Sequence, residues 1–357
     1  MSLFEKIANL SVVNVIIISV ILIVLRQLFF GFIPKEIREY KKDEIKSCKD
    51  AKIAKELKKE KLALYTADHK VFKEIAEFCE SLAFAFLLVF LVIRPFFIQA
   101  YFIPSESMMP GLIVRDHLIA QKFMYFFTEP KFGNVVIFKA PNEAYVNNKD
   151  LKPYTPPSDK LKRFWDVVSG ADTRPDFIKR VIGEPGDKVY IKHGCIKVNG
   201  NKEILIPEMK ARFEIFKKDY GFIRLKEDGV YVDGEKVSEK AIKEALFLKP
   251  TDNIEIHPAE VYRNGKKLNE PYISEDCFED YPNLKRIKFM GLVEPGPWLK
   301  KSKGEYYVEV PQGKYLVIGD NRNNSFDARY WGFLDRESIK GQAMFIFWPF
   351  NRVKIIH

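Results

Sequence analysis

The hydrophobic positions of this 357-residue chain form two long runs near the N-terminus and many short runs after residue 101. The first run, residues 10–25, holds no charged residue, and its apolar character resumes after Arg26 and Gln27 through residue 33. The second run, 81–93, continues past Arg94 and Pro95 as FFIQAYFI to residue 103. A helix of about 20 such residues crosses the roughly 30 Å hydrocarbon layer of a bilayer. The pattern therefore predicts two transmembrane helices, within 1–33 and over 81–103.

Each run has an alternative interpretation. A cleaved signal peptide would explain the first run, but FIPKEIREYKK follows it and offers no small-x-small cleavage site. The second run could instead be a buried or re-entrant helix, because 81–93 alone is short of a full span.

Lysine and arginine are distributed unevenly around these runs. Residues 34–80 contain thirteen of them, whereas Lys6 is the only one before residue 10. Because short loops rich in Lys and Arg stay in the cytoplasm, we expect 34–80 to be a cytoplasmic loop with a charged, solvated helix. The short N-terminus and everything after about Tyr101 would then lie outside.

Beyond residue 101 the pattern is that of a β-rich protein. NVVIFKA (134–140), KVYIKHG (188–194) and KYLVIGD (314–320) are typical of strands. KVNGNK, YVDGEKV and YRNGKKL each place Asn-Gly or Asp-Gly between strand-like flanks, which predicts tight hairpins. Residues 238–248 have helical spacing and predict one helix inside an insertion.

Composition and charge exclude several classes of protein. The chain is 47% hydrophobic and 30% charged, which suits a folded protein. The net charge of +10 is explained better by membrane topology than by nucleic-acid binding, since the basic residues form no single stripe. HExxH, GxSxG and phosphate-binding glycine loops are all absent from the sequence, so no metal or organic cofactor is expected.

The four cysteines form no CxxC pair. A Cys195–Cys277 disulfide would need both residues outside the cytoplasm, and their spacing leaves the question open.

Two serines, Ser105 and Ser107, directly follow the second apolar run in YFIPSESMMPGL. They could belong to a plain linker, or one could be a nucleophile, which needs a base. A lysine can serve as that base if burial lowers its pKa. In DFIKRVIGEPGDKV, Lys179 lies between apolar pairs, and strand alternation puts Lys179 and Arg180 on opposite faces. One would face the core and the other solvent; the pattern does not decide which.

Four blocks of sequence resemble the type I signal peptidases, which are membrane-bound serine proteases with a Ser/Lys dyad. The blocks are IPSESMMPGL, FGNVVIFKAP, FIKRVIGEPGD and GDNRNNSFDARYWGF, and they occur in the family's order after an apolar anchor. The resemblance covers mainly residues 84–139, 176–190 and 314–348.

This resemblance implies roles for particular residues. Ser107 would be the nucleophile and Lys179 the general base, while the Ser107 N–H and the Ser105 hydroxyl would form the oxyanion hole. Ser325 would hydrogen-bond the Lys179 amine, Met108 would keep the dyad dry, and Asp327 and Arg329 would pair. Glu106, between the two serines, departs from the family pattern, and we expect it to point into solvent.

The resemblance also implies a fold, substrates and a location. The fold would be mainly β, with a β-barrel-like catalytic domain at 104–193 and 305–357 and a second β-rich lobe inserted at 194–304. The substrates would be exported precursors whose signal peptides have small residues at positions −1 and −3. The enzyme would be a two-pass protein of the plasma (inner) membrane, with its catalytic domain on the extracytoplasmic side. A self-cleaving Ser/Lys protease of the repressor type and a catalytically silent, membrane-tethered β-rich binding protein are the alternatives.

Overall fold

The computed structural model describes residues 12–31, 70–145, 174–212, 222–283, 297–302 and 304–357, together with single positions between 154 and 172. The helix expected within the basic loop, over KKDEIKSCKDAKIAKELKKEKLAL (41–64), lies outside these residues. The described chain groups into two compact units: one contains the N-terminal helices up to Phe97, and the other contains Ile98–Thr155 and Arg174–His357. The domain boundaries given above remain predictions.

Two apolar helices lie in the first unit, which also includes residues 156–173. Helix α1 is Val12–Gly31, and α2 is Lys70–Leu88, which continues as a π-helical segment at Val89–Phe97. The helices pack against each other, and Arg26 Nε of α1 donates to Glu80 Oε2 of α2 at 2.9 Å. Many of their large apolar side chains remain exposed. Glu74–Phe96, with a mean hydropathy of 2.2, is long and apolar enough to cross a membrane, whereas Val13–Phe29 is shorter.

The second helix differs from its predicted range of 81–103. It begins at Lys70, inside the stretch expected to be loop, and ends at Phe97. Ile98–Phe102 forms strand β1 instead, antiparallel to strand β2 (His117–Gln121). The aromatic and β-branched residues here are compatible with a strand, and pairing with β2 satisfies their backbone groups.

The second unit is mainly β. Its largest sheet has eight strands in the order β1-β2-β18-β3-β4-β16-β17, with β19 paired to β18. These strands are β1 (Ile98–Phe102), β2 (His117–Gln121), β3 (Val135–Lys139), β4 (Asp176–Gly183), β16 (Lys314–Ile318), β17 (Leu334–Asp335), β18 (Ile339–Trp348) and β19 (Lys354–Ile355). Strands distant in sequence are thus neighbours, and β4 lies between β3 and β16.

Three smaller sheets complete this unit, in the orders β13-β12-β5-β15-β14, β11-β6-β7 and β10-β9-β8. Their strands are β5 (Lys188–Lys192), β6 (Cys195–Val198), β7 (Lys202–Leu205), β8 (Ile223–Lys226), β9 (Gly229–Val232), β10 (Glu235–Val237), β11 (Ile254–His257), β12 (Glu260–Arg263), β13 (Lys266–Lys267), β14 (Leu299–Ser302) and β15 (Glu305–Glu309). The helices are α3 (Ile206–Arg212), α4 (Glu239–Ala245) and α5 (Ala328–Trp331).

The local predictions for this unit are confirmed. The three Asn-Gly and Asp-Gly pairs connect β6 to β7, β9 to β10 and β12 to β13, and all six residues have positive φ. Such turns match the twist of the strands that they join. The predicted helix is α4, where Ser238 Oγ caps the first turn by accepting from the Ala241 N–H.

Three apolar cores hold the unit together. One includes side chains of β3, β4, β16 and the five-stranded sheet, and a second lies within the segment from β6 to β11. The third, which includes Ile103, Met108, Leu112 and Ile178, joins the loop after β1 to β2, β3, β4 and β18. This third core places the two serines of the loop beside β4.

Candidate active site

The loop between β1 and β2 carries Ser107 and is closed at its base. Ile103 N–H donates to Asp116 O at 2.9 Å, and Arg115 N–H donates to Ile103 O at 2.9 Å. Asp116 is fully buried and accepts from Arg352 Nε at 2.7 Å. Within the loop, Met109 N–H donates to Glu106 O at 3.0 Å, which makes a tight turn around Ser107. The loop thus has a defined conformation and holds Ser107 at its tip, 8% exposed.

Strand β4 supplies the amine that meets this serine. Lys179 is 4% exposed and pairs across the sheet with Val136 of β3. Its Nζ donates to Ser107 Oγ at 2.8 Å and to its neighbour's carbonyl, Ile178 O, at 2.8 Å. Residues 72 positions apart in the sequence are therefore joined in one hydrogen bond.

Burial lowers the pKa of Lys179 from 10.5 to about 8. Desolvation is the largest cause, because a charged amine loses its hydration in an apolar strand. The carboxylates of Asp327 and Asp320 oppose the shift, and Arg329 adds to it. A substantial fraction of the lysine is consequently neutral near pH 8 and can accept a proton.

Arg180 is buried as well, and the expectation that one of the two basic residues reaches solvent is wrong. Arg180 is 4% exposed. Its Nε and Nη2 donate to the two oxygens of Asp320 at 2.8 and 2.7 Å, and its guanidinium lies 3.9 Å from the centre of the Tyr272 ring. Both faces of β4 are covered, so alternation sends the two side chains to different buried environments. A bidentate carboxylate compensates the desolvation of Arg180.

Ser105 lies beside the nucleophile candidate, on the exposed side of the loop. Its Oγ is 3.4 Å from Ser107 Oγ, and either hydroxyl can donate. Met108, by contrast, is 1% exposed in the core beneath Ser107. The structure thus brings together the exposed Ser105 hydroxyl, the nearly buried Ser107 hydroxyl and the apolar Met108 side chain, which excludes water from the core side of the loop.

Three further predicted site residues follow β16. Arg329 Nε donates to Asp327 Oδ1 and Arg329 Nη2 to Asp327 Oδ2, both at 2.8 Å. Asp327 also accepts from the Gly319 N–H at 3.0 Å and caps α5. The Arg329 charge and these hydrogen bonds hold the pKa of Asp327 below its ordinary value despite the opposing effect of burial. This pair fixes the turn in which Ser325 lies.

Ser325 does not make the expected hydrogen bond. Its Oγ is buried, and among the described residues it has no partner at hydrogen-bond geometry. The hydroxyl lies near enough to Asp327 to help lower the pKa of that carboxyl. The Lys179 amine instead donates to Ser107 and to the Ile178 carbonyl.

Asn321 is a functional candidate that the sequence analysis missed. Its backbone N–H donates to Ser107 O at 3.1 Å, and its Nδ2 donates to Glu106 O at 3.2 Å. Asn321 therefore holds two successive carbonyls, those of Glu106 and Ser107, in the loop between β1 and β2. The only signal in the sequence was its place in GDNRNNSFDARYWGF, and the identity of its acceptors depends on how β16 meets that loop.

Gly319 explains how closely the two segments approach. A Cβ at this position would lie 2.5 Å from Ser107 O and 2.2 Å from Ser325 Oγ. Real Cβ atoms do not approach other atoms so closely, so the site requires a residue without a side chain there.

Glu106 is half-buried and does not contact the Lys179 amine. Its Oε2 accepts from Asn324 Nδ2 at 3.1 Å on the exposed side of the loop. It therefore points away from the dyad as expected, but it is held by an amide rather than free in solvent.

Cys195 and Cys277 are both buried free thiols in the structure. The Cys277 thiol donates to Glu279 O at 3.1 Å and accepts from Arg329 Nη1 at 3.4 Å.

A nearly buried serine that accepts a hydrogen bond from a lysine of lowered pKa defines a class of protein, the serine hydrolases that use lysine as their base. Comparison with known proteins narrows this class. The chain matches the model of the family described as "Signal peptidase, peptidase S26" over residues 75–215 and 248–348. It belongs to this family, and it is a serine endopeptidase.

Individual relatives carry the same name. A probable signal peptidase I-2 of Synechocystis sp. is 29% identical over 264 residues, which cover 74% of this chain and 69% of the relative. The signal peptidase I of Aquifex aeolicus is 29% identical over 276 residues, 74% of this chain and 81% of that one. The signal peptidase I of Haemophilus influenzae is 26% identical over 332 residues, which cover 89% of this chain and 79% of that protein.

A crystal structure of a signal peptidase I from Enterococcus faecalis matches 60% of this chain and 97% of its own, at 14% identity. Its TM-score is 0.20, a similarity too low to bear on the fold.

Proposed function

We propose that this endopeptidase removes N-terminal signal peptides from exported precursor proteins at the outer face of the plasma (inner) membrane. The observation that carries the proposal is the 2.8 Å hydrogen bond between Lys179 Nζ and Ser107 Oγ, in a chain of the signal peptidase family. The relatives named above are signal peptidases I. The substrate class of this chain follows from that membership.

The reaction would pass through an acyl-enzyme. Neutral Lys179 takes the Ser107 proton as Oγ attacks the carbonyl carbon of the scissile peptide bond. The resulting ammonium returns the proton to the departing amine, so the mature protein leaves with a free N-terminus and Ser107 holds the signal peptide as an ester. Lys179 then takes a proton from water, which attacks the ester carbonyl; as the Oγ–acyl bond breaks, the Lys179 ammonium returns the proton to Ser107 Oγ and the signal peptide leaves with a free C-terminal carboxyl group. Protons balance at each step without a metal or organic cofactor.

The oxyanion of each tetrahedral intermediate would be bound by the Ser107 N–H and the Ser105 hydroxyl. Ser105 supports this role by its position, 3.4 Å from Ser107 Oγ on the open side of the loop. A donor of this kind is worth about 3–4 kcal/mol in the transition state. Positions −1 and −3 of the signal peptide would carry small residues, as the resemblance to the type I signal peptidases implies.

Positioning within the site would come from the segment after β16. Asn321 supports the carbonyls of Glu106 and Ser107, while the Asp327–Arg329 pair holds the turn of Ser325. In this proposal the eight-stranded sheet belongs to a β-barrel-like catalytic domain, and residues 194–304 form an inserted β-rich lobe.

The membrane topology is part of the proposal. α1 and α2 would span the bilayer, and the excess of Lys and Arg between them would hold 34–69 in the cytoplasm. Near Ser107, Ile98 and Phe102 are exposed, as an interfacial surface requires, whereas Ile103 is buried in the core and takes no part in it.

The test is cleavage of a precursor with an Ala-x-Ala site by the purified full-length protein. The wild-type protein should release the shortened product. Ser107→Ala and Lys179→Met should each reduce turnover by at least about 1,000-fold, because they remove the nucleophile and the base. Product is measured by gel mobility and by mass, which also locates the cut.

Matched variants separate chemistry from folding. Ser274 is a buried serine whose hydroxyl has no hydrogen-bond partner among the described residues. Lys340 is a half-buried lysine of lowered pKa, paired with Asp176 at 2.9 Å. Ser274→Ala and Lys340→Met should keep turnover within a few-fold of wild type. A wild-type protein that never cuts the precursor would favour the silent binding protein, and near-normal turnover in Lys179→Met would exclude the dyad.

A further inference from the structure

A cluster of metal-ligating side chains lies outside the active site, around the sheet of β11, β6 and β7. His193 follows β5, Cys195 begins β6, and Glu203 lies on β7. One ligand atom from each of the three lies within 4.8 Å of the other two. The proposed peptidase reaction uses none of them.

The sheet itself puts two of these residues on one face. Lys197 pairs with Glu203 across β6 and β7, and Cys195 is two residues before Lys197 on the same strand. Directly paired residues and residues two apart share a face of a sheet, so the Cys195 and Glu203 side chains project to the same side. Cys195 is buried, whereas Glu203 keeps 45% of its side chain exposed.

His193 is already oriented for a ligand. Asp280 Oδ1 accepts from the His193 backbone N–H at 2.8 Å and lies 2.8 Å from His193 Nδ1. Because an ionised carboxylate only accepts hydrogen bonds, Nδ1 carries the proton, and in the neutral ring Nε2 holds the free lone pair. That nitrogen lies 3.6 Å from Glu203 Oε2.

We propose that His193, Cys195 and Glu203 bind a Zn²⁺ ion through Nε2, Sγ and a carboxylate oxygen, with a water molecule in the fourth position. Nitrogen, thiolate sulfur and carboxylate oxygen are the ligands that zinc takes in proteins. Asp280 would be the outer carboxylate that fixes the ring of a metal-bound histidine. A thiolate and an imidazole make the set unsuitable for Mg²⁺ or Ca²⁺, which require oxygen ligands.

The three ligand atoms need to move only slightly closer together to bind zinc. Zinc bonds of about 2.0–2.3 Å in tetrahedral geometry place ligand atoms roughly 3.3–3.8 Å apart. The His193–Glu203 distance is already in that range, and the exposed Glu203 side chain can rotate toward the thiol. Lys197 Nζ lies 3.5 Å from Glu203 Oε1 and would hold the oxygen that does not bind the metal.

The ligands would neutralise a divalent cation. Zinc binding would displace the proton of the Cys195 thiol and leave a thiolate and a carboxylate, whose two negative charges together balance the ion.

The metal would join segments distant in sequence. Through Asp280 it would reach the stretch in which Cys277 O accepts from the Gly194 N–H and Phe278 N–H donates to Asn323 Oδ1. Zinc would thus fix the β6–β7 hairpin to a segment that contacts the chain directly after the active-site strand β16.

The experiment is metal analysis of the full-length protein in detergent, after removal of metal by a chelator and reloading with Zn²⁺. Wild type should retain about one zinc per chain after desalting. Co²⁺ loading should give a thiolate-to-metal charge-transfer band. Cys195→Ser and Glu203→Gln should lose the retained zinc, and Cys195→Ser should also lose the band. Zinc, but not Mg²⁺, should raise the thermal unfolding midpoint of the wild type.

Matched controls test whether zinc retention depends on the cluster of His193, Cys195 and Glu203. Cys277→Ser removes another buried thiol, and Glu239→Gln removes another exposed carboxylate paired with a lysine, Lys243 at 2.7 Å. Both should retain zinc. Circular dichroism identifies any variant that fails to fold, and Glu203→Gln, at an exposed position, keeps the test valid if Cys195→Ser unfolds. Wild type without retained zinc, or equal zinc in all four variants, would overturn the proposal.

Discussion

Lys179 is a buried basic side chain, and in the described part of the chain no carboxylate lies within ion-pair distance of its amine. A charged amine in this position would carry a large desolvation free energy, which the amine avoids when it is neutral. Asp327 and Asp320 influence its pKa but bind Arg329 and Arg180 directly. These arginines therefore restrain the acidic side chains from acting as counter-ions that would keep Lys179 protonated.

Activity should depend on pH through this one residue. Because the pKa of Lys179 is lowered to about 8 and only the neutral amine accepts a proton, kcat/KM should fall about tenfold per pH unit below that value. The profile is measured with the precursor between pH 6 and 9. Turnover that stays constant from pH 8 down to 6 would contradict lysine as the base.

Glu106→Gln provides the control for that profile. Glu106 binds the Asn324 amide on the outer side of the loop and is not among the causes of the shifted pKa of Lys179. In this variant kcat/KM should fall toward acid pH with the same midpoint as in the wild type. A shift of that midpoint would show that Glu106 influences Lys179.

At this scale the sequence predicted the contact between Ser107 and Lys179 better than it predicted their surroundings. Apolar neighbours on both sides of Lys179 indicated a buried strand, and the family resemblance selected Ser107. The burial of Arg180 could not be predicted, because its partner Asp320 lies 140 residues away. The acceptor of the Lys179 amine depended on the local backbone at Ile178, which periodicity does not describe.

Among elements, the loop between β1 and β2 and the turn after β16 form the site together. The loop brings the serines, and the turn brings Asn321, Ser325 and Asp327. Gly319 permits their contact, since any side chain there would collide with the Ser107 carbonyl. The conformation of the loop that carries Ser107 therefore depends on an element more than 200 residues further along the chain.

Asn321→Ala should reveal this dependence. The substitution removes the amide that donates to Glu106 O but leaves the backbone N–H that donates to Ser107 O. We expect kcat to fall about 10- to 100-fold, or about 1.4–2.7 kcal/mol, with KM changed less than threefold, because the loop would hold the hydroxyl less accurately. Steady-state kinetics on the precursor measure both constants.

Asn324→Ala is the companion variant. Asn324 donates to the Glu106 side chain instead of its carbonyl, so kcat should stay within about twofold of wild type. Equal losses in the two variants would point to general destabilisation instead of positioning.

The hairpins were predictable as elements because a turn is specified by adjacent residues, as at Asn199-Gly200. The end of α2 was not predictable, because Ile98–Phe102 is apolar enough to continue a membrane span. It becomes a strand only because β2 offers it hydrogen-bond partners. The order of the eight-stranded sheet is likewise a tertiary property. No local pattern places β18 between β2 and β3.

On the scale of the whole molecule, the second unit exposes apolar side chains at one end of its large sheet. Phe102 and Trp348 both pair in register with His117 of β2, and the Trp348 and Phe350 rings lie 4.6 Å apart. Trp348 is 45% and Phe350 77% exposed. Exposed aromatic side chains clustered at the end of β1, the strand that leads into the Ser107 loop, are suited to the bilayer interface, where the proposed substrate lies.

Lipids with brominated acyl chains should quench the fluorescence of Trp348. A variant that keeps only Trp348 of the four tryptophans is compared, in vesicles, with one that keeps only Trp331. Trp331 is buried against Phe138 and should remain unquenched. Equal quenching of the two, or none of Trp348, would contradict contact of this surface with the membrane.

The burial of Lys179 also determines when the enzyme can begin to work. In a chain whose β3 and β4 have not yet paired, this lysine is in water, where it is protonated at neutral pH and cannot accept a proton. Ser107, on a separate loop, would at that stage be an ordinary alcohol. Under the proposed mechanism a newly made molecule therefore cannot cut itself or its neighbours during synthesis, and proteolytic competence arises only with completion of the fold.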